Sequence, residues 1–182
     1  MATFLDDIKD LSETMISEGS QWYKEKIKDL YNRNQDKLFK KTTLPKIGGM
    51  YLFSYDPKMK EILPFYDMHP LVVPLEYYND GFLGLNLHYL PPLARSALLD
   101  RLMIISNNDK YDDSTKLRVS YGVLSNVAKN TNFKVCVKRY LYGHVRSSFY
   151  EIQPSDWKKV VVMPLQRWKI NSNQKYAGSP PY

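Results

Sequence analysis

The sequence predicts an α+β fold: a small, strongly curved antiparallel β-sheet or barrel, preceded by two helices and interrupted by a helical insertion between its early and late strands. Three observations lead there. Apolar residues recur at helical spacing near the N-terminus and again after residue 91. Between residues 50 and 90 they alternate, or run in short β-branched and aromatic stretches bounded by turn residues. Strands and helices come in blocks rather than in βαβαβ alternation, which argues against a parallel doubly wound sheet.

Residues 3–18 read as an amphipathic helix carrying Phe4, Leu5, Ile8, Leu11, Met15 and Ile16. Gly19 is expected to break it. Ser20 then caps a second helix with a stripe of Tyr23, Ile27, Leu30 and Tyr31, suited to docking on the main domain or on another copy. Pro45 and Gly48-Gly49 close a connector. "MYLFSYD" has strand composition, "DPK" is a turn, and "EILPFYD" is a returning strand. "PLVVPLEYY" and "FLGLNLHYL" form a hairpin around Asn79-Asp80-Gly81, residues that accept the positive φ of a tight turn. In its second arm a buried Leu83, Leu85, Leu87 face alternates with a face of Phe82, Gly84, Asn86 and His88 that could look onto a partner.

The helical insertion spans about residues 91–143. Prolines open its first helix, which carries Leu93, Ala97, Leu98, Arg101 and Leu102 in helical spacing. Asp113 or Ser114 caps a second helix with Leu117, Tyr121, Leu124 and Val127 as its stripe. "FKVCVKRYLYGHV" reads as a third helix ending near Gly143. "RSSFYEIQPSDW" and "KKVVVMPLQRWKI" read as late β stretches. The domain plan is an N-terminal helical arm and connector (1–46), an α+β core (47–170) and an extended tail (171–182).

Composition narrows the function. The chain has 182 residues, is 43% apolar and is rich in Tyr, with 15. That is enough for a real core, and Tyr suits interfaces. The N-terminus is acidic and amphipathic and has no signal-peptide pattern, and no run approaches the ~18 apolar residues of a membrane helix. A soluble, cytosolically assembled protein is expected. The single cysteine, Cys136, has no neighbouring His or acid and reads as a buried structural thiol.

Charge is segregated. Residues 1–90 carry 11 Lys and Arg against 13 Asp and Glu, whereas residues 91–182 carry 15 against 6. Such a surplus points to a polyanion or an acidic protein partner, beside the plainer reading of a solvated basic surface.

The chemistry-bearing motifs are few. His69, His88 and His144 are scattered, with no ligand spacing to Cys136, so a metal site is not expected. Asp56, Glu61, Asp67 and Glu76, with Asp112-Asp113, do not form the clustered carboxylates of a metal-dependent nuclease, which is the weakest reading considered. There is no nucleophile elbow and no P-loop. What remains is a basic, aromatic stretch, "VKRYLYGHVRSSFYEI". Its cations could neutralise phosphates while its rings stack on exposed bases. The candidate nucleic-acid-binding residues are Lys116, Arg118, Lys134, Lys138, Arg139, His144, Arg146, Lys158 and Lys159. Lys129, Arg167 and Lys169 add to the same basic half.

The ordered blocks "GGMYLFSYDPKMKEILPFYDMHPLVVPLEYYNDGFLGLNLHYLPP", "LLDRL", "KRYLYGHVRSSFYEIQPSDW" and "VVMPLQRW" resemble the DNA end protector proteins of T-even-like tailed bacteriophages and their cyanophage relatives. The resemblance runs from about Ile47 to Trp168. It implies a minor virion protein, present in the host cytoplasm during assembly, that acts late in head assembly near the portal. There it would shield packaged double-stranded DNA ends from exonuclease, without a cofactor, catalytic residue or membrane. The basic residues that go with these blocks are Arg95, Arg101, Lys138, Arg139, His144 and Arg146. Further partners implied are portal, neck or tail proteins and other copies of the chain. The rival reading is a structural neck, tail or baseplate component whose basic face meets acidic protein.

Overall fold

The computed structural model describes residues 13–35, 44–62, 66–90, 92–129 and 136–163. Its elements are α1 (Glu13–Gln35), β1 (Tyr51–Leu52), β2 (Leu71–Tyr78), β3 (Gly81–Asn86), α2 (Pro92–Ser106), α3 (Asp113–Lys129), β4 (Val137–Leu141), β5 (Tyr150–Glu151) and α4 (Trp157–Val162). The strands form one antiparallel sheet in the order β4-β3-β2-β1-β5. The fold is α+β as expected, and the sheet stays open rather than closing into a barrel.

The alternation of β2 and β3 creates two cores, one on each face. Leu71, Val73 and Leu85 point to one side, where Trp22, Leu30, Leu99, Leu124 and Val160 from the helices cover them. Val72 and Phe82 point to the other, into an aromatic cluster with Tyr51, Phe53, Tyr55 and Tyr140. The chain at 142–149 covers that second face with Tyr142, Val145 and Phe149. The face of β3 expected to meet a partner is therefore closed: Phe82 and His88 are 0% exposed and Asn86 1%.

The β2–β3 hairpin is present, with Tyr78 opposite Gly81 and a bulge between Pro74 and Glu76 that accommodates a proline inside a strand. Its turn differs from expectation. No described non-glycine residue has positive φ, so Asn79 and Asp80 turn the chain without it. Gly81 is needed for proximity instead: a Cβ there would lie 2.0 Å from the Tyr140 carbonyl oxygen.

Gly19 does not break a helix, because α1 runs through it. A Cβ at Gly19 would lie 2.9 Å from the Val162 carbonyl, so the glycine lets α1 press against α4. Residues 3–12 of the first expected helix lie outside the described residues. Trp22, Tyr23 and Leu30 of α1 enter the main core, while Tyr31 is exposed. "EILPFYD" supplies no strand among its described residues. Residues 58–62 are turns with Met59 and Ile62 exposed, and β1 pairs with β2 and β5 instead.

Within the insertion α2 and α3 form as expected, with differences in detail. Leu93 and Tyr121 are exposed, and the burial comes from Leu98, Leu99, Leu102 and Leu124. The cap of α3 is Asp112, whose Oδ1 accepts from the Thr115 N–H at 2.7 Å.

Two later expectations are corrected. "VKRYL" is not part of a helix but the edge strand β4, because pairing with β3 places Tyr140 inside the aromatic cluster. "WKKVVV" is not a strand but the helix α4, with Val160, Val161 and Val162 all buried. Buried Arg95 holds its C-terminal end: Nη1 donates to the Val160 carbonyl at 3.1 Å and to that of Met163, and Nε donates to the Leu90 carbonyl at 2.7 Å. Arg95 is 0% exposed, so it is withdrawn from any outward-facing basic surface. The tail 171–182 and the end of the last expected strand, with Arg167 and Lys169, lie outside the described residues. Among the described residues no helix is long and apolar enough to cross a membrane.

Candidate nucleic-acid interface

β-branched and aromatic residues favour extended backbone in β4, and antiparallel pairing with β3 sets its register, Lys138 opposite Gly84 and Tyr140 opposite Phe82. Strand alternation then sends Lys138 and Tyr140 to the aromatic face and Arg139 to the other. Tyr140 is packed between Phe53, Tyr55 and Phe82, with ring centroids 5.1–5.4 Å away. Lys138 therefore sits on a strand and Tyr142 in the turn after it rather than on a helix, and Lys134 lies outside the described residues.

After β4 the chain turns through Tyr142–His144 and lies against 54–56. Asp56 N–H donates to the His144 carbonyl at 2.9 Å, Arg146 N–H to the Ser54 carbonyl at 2.8 Å, and Tyr55 bridges Val145. His144 Nδ1–H donates to the Asp56 carbonyl at 2.8 Å. These bonds bring the 56–60 turn, with Lys58 and Lys60, to the same side as 138–146.

Most of the cations there have acidic neighbours. Arg139 Nη2 is 2.6 Å from Asp80 Oδ1, and its guanidinium lies 4.7 Å from the Tyr78 ring centroid. Lys60 Nζ is 2.8 Å from Asp56 Oδ1, and Arg146 Nη2 is 3.5 Å from Asp56 Oδ2. The Lys60 hydrogen bond first, with Arg146 beside it, holds the Asp56 carboxyl below its ordinary range. Arg139 does the same to Asp80. Exposed pairs of this kind exchange easily for other anions.

Lys138 is different. It is half-buried, its amine lies 5.0 Å from the Tyr89 ring centroid, and no carboxylate among the described residues pairs with it. Burial pushes the pKa of its amine down from the ordinary lysine value.

Lys138 lies along a cleft of about 270 Å³ that Tyr55, Met59, Tyr66, Tyr140 and Arg139 also line. Asp67 and Asn86 form its base. Asp67 Oδ2 accepts from His88 Nδ1 at 2.6 Å and from Asn86 Nδ2 at 3.2 Å, and Oδ1 accepts from the His69 N–H at 2.9 Å. Asn86 Nδ2 also donates to the Tyr140 hydroxyl at 3.1 Å. Both Asp67 oxygens are thus engaged inside the protein, which makes this carboxylate a pin rather than a metal ligand. Of the other acids weighed for nuclease chemistry, Asp56 is held by cations and Glu76 accepts from the Tyr78 hydroxyl.

The remaining candidates fall elsewhere. Lys116 lines a separate cleft of about 340 Å³ with Lys46, Asp113 and Glu151. Arg118 is exposed on α3, and Lys158 and Lys159 are exposed on α4, which follows the opposite sheet edge from β4. Sequence reasoning missed Lys58 and Lys60. Their spacing around Pro57 signals only a turn, and nothing local shows that the turn folds against 143–146.

A profile of the family described as phage T4 terminal DNA protecting protein matches residues 2–180. No curated protein and no solved structure matches the chain.

Proposed function

The chain belongs to the phage T4 terminal DNA protecting protein family, and from that premise we propose that it is a non-enzymatic virion protein that binds the ends of packaged double-stranded DNA near the portal and shields them from exonuclease. The observation that best supports this reading is the grouping of Lys138, Arg139, His144 and Arg146 with Lys58 and Lys60 around a tyrosine-lined cleft. Cations placed this way neutralise phosphates and release counterions, while rings accept bases. Lys116, Arg118, Lys158 and Lys159 lie away from this cleft and, with Lys134 in the same basic half of the sequence, are proposed as further phosphate contacts rather than as part of it. The host cytoplasm during assembly, then the virion, is where it acts.

Titration of a linear duplex at rising salt, followed by exonuclease and magnesium challenges, tests the reading. Steep salt weakening, protected ends and uncut DNA are expected. Digestion at an unchanged rate under saturating protein would refute it.

A second reading rests on α2, where Leu93 and Ile104 are 62% and 69% exposed. Exposed apolar side chains there suit a protein neighbour, such as a portal, neck, tail or baseplate subunit or another copy of the chain. Particle density placing the chain in a ring away from DNA would favour it.

A further inference from the structure

The cleft beside β4 has three properties that together specify an occupant. Its size, about 270 Å³, lies just under the ~300 Å³ at which drug-sized ligand pockets begin, which suits a group on the scale of one nucleotide. Its walls are mostly aromatic and aliphatic, with Tyr66 half-buried and Met59 52% exposed, so they can receive a flat apolar ring. Its one half-buried cation, Lys138, has no carboxylate among the described residues, whereas Lys60, Arg139 and Arg146 each have one. A half-buried ammonium left without a counter-charge calls for an anion from outside.

The edge of β4 is a poor seat for a peptide strand. The Leu141 N–H, which an added strand would need, already donates to the Tyr55 hydroxyl at 3.1 Å, and the Tyr55 ring stands on that edge. A flat ring carrying a phosphate satisfies both the walls and the cation.

We propose that this cleft seats the terminal nucleotide of a DNA end, its base against Tyr55, Tyr66 and Met59 and its phosphate on Lys138. The proposal rests on the DNA-end reading above and makes it specific. An internal base is stacked on both sides, whereas a terminal base has one stacking neighbour and leaves the duplex at least cost. A site of this depth therefore separates ends from duplex body without reading sequence. Arg139 stands on the wall of the cleft and Arg146 and Lys60 beside it, where they can meet the phosphates of the following duplex.

The test compares the full-length protein on two DNAs of one sequence: a duplex with free ends, and the same duplex closed at both ends by hairpin loops. The wild type is expected to prefer the open duplex by roughly tenfold, the scale of one base stacked on aromatic side chains. Lys138→Gln and Tyr66→Ala, checked for unchanged melting, are each expected to reduce that preference at least about threefold, a part of the same stacking and charge contribution. Equal wild-type affinity for both DNAs, or an intact preference in both variants, would overturn the cleft assignment while leaving duplex binding in place. Wild type that binds neither DNA would remove the DNA-end reading and the cleft assignment together. A free deoxynucleoside monophosphate binding as tightly as the open duplex would make the cleft a mononucleotide site and also overturn the proposal.

Discussion

Asp67 Oδ2 lies 2.6 Å from His88 Nδ1, in a part of the interior where His88 is 0% exposed and Asp67 7%. The same carboxylate holds Asn86 and the His69 backbone, so one side chain ties the 66–69 segment to the end of β3. Removing it takes one acceptor from a buried imidazole and one from a buried amide. Asp67→Ala is expected to cost about 3 kcal/mol, the scale for breaking a buried polar pair. Urea titration checks this, and a loss under about 1 kcal/mol would show that the pin carries little.

Arg139 and Arg146 hold exposed carboxylates, so their removal should matter more for binding than for folding. The double variant Arg139→Ala, Arg146→Ala is expected to melt close to the wild type. Its DNA affinity should fall, and the slope of log affinity against log salt should shrink by about two, one for each lost phosphate contact. Fluorescence anisotropy at several salt concentrations measures both. An unchanged slope would take these residues out of the interface.

Glycine tolerance should follow the local space. A Cβ at Gly81 would meet the Tyr140 carbonyl at 2.0 Å, whereas one at Gly143 meets nothing within 4 Å. Gly81→Ala is expected to destabilise by about 2 kcal/mol or more, because β3 and β4 must separate to admit it. Gly143→Ala should stay within about 0.5 kcal/mol. Thermal melts of the two variants side by side decide it, and equal losses would contradict the β3–β4 register.

Cys136 is 1% exposed, and burial pushes its thiol up to about 11. The thiolate is the reactive form, so little is present near neutral pH. Native protein should resist alkylation at pH 8 and react only when denaturant unfolds it. Rapid labelling of the folded protein would be inconsistent with this packing.

Asp56 and Asp80 are held by cations below the ordinary carboxylate range. With folded values depressed, any stabilisation they give is present above the unfolded carboxylate pKa and is lost as pH falls through the folded value. Side-chain NMR titration should find both protonating later than free aspartate as acid is added. In Arg139→Ala the Asp80 midpoint should move up toward the ordinary range while Asp56 stays where it was.

Much of the fold was legible locally. The Pro-opened α2, the β2–β3 hairpin around Asn79-Asp80-Gly81 and the buried Cys136 follow from period and turn chemistry. The two misread segments fail for related reasons. "VKRYL" has apolar residues compatible with either period, and it becomes a strand because β3 offers a free edge and the aromatic cluster a place for Tyr140. "KKVVV" has strand propensity, yet it becomes α4 because Arg95, far away in sequence, takes up its C-terminal carbonyls.

The sequence by itself determined the α+β class, the block order of helices and strands, the basic C-terminal half and the family resemblance, because those depend on composition and short-range spacing. Only the tertiary structure decided which cations work together. It buried Arg95, sent Lys116 to another cleft, brought Lys58 and Lys60 against 138–146, and left Lys138 half-buried with no carboxylate paired to it among the described residues. Charge and ring content are properties of residues, but a site is a property of strand register and chain crossing. Those are set by long-range packing that no local window of sequence contains.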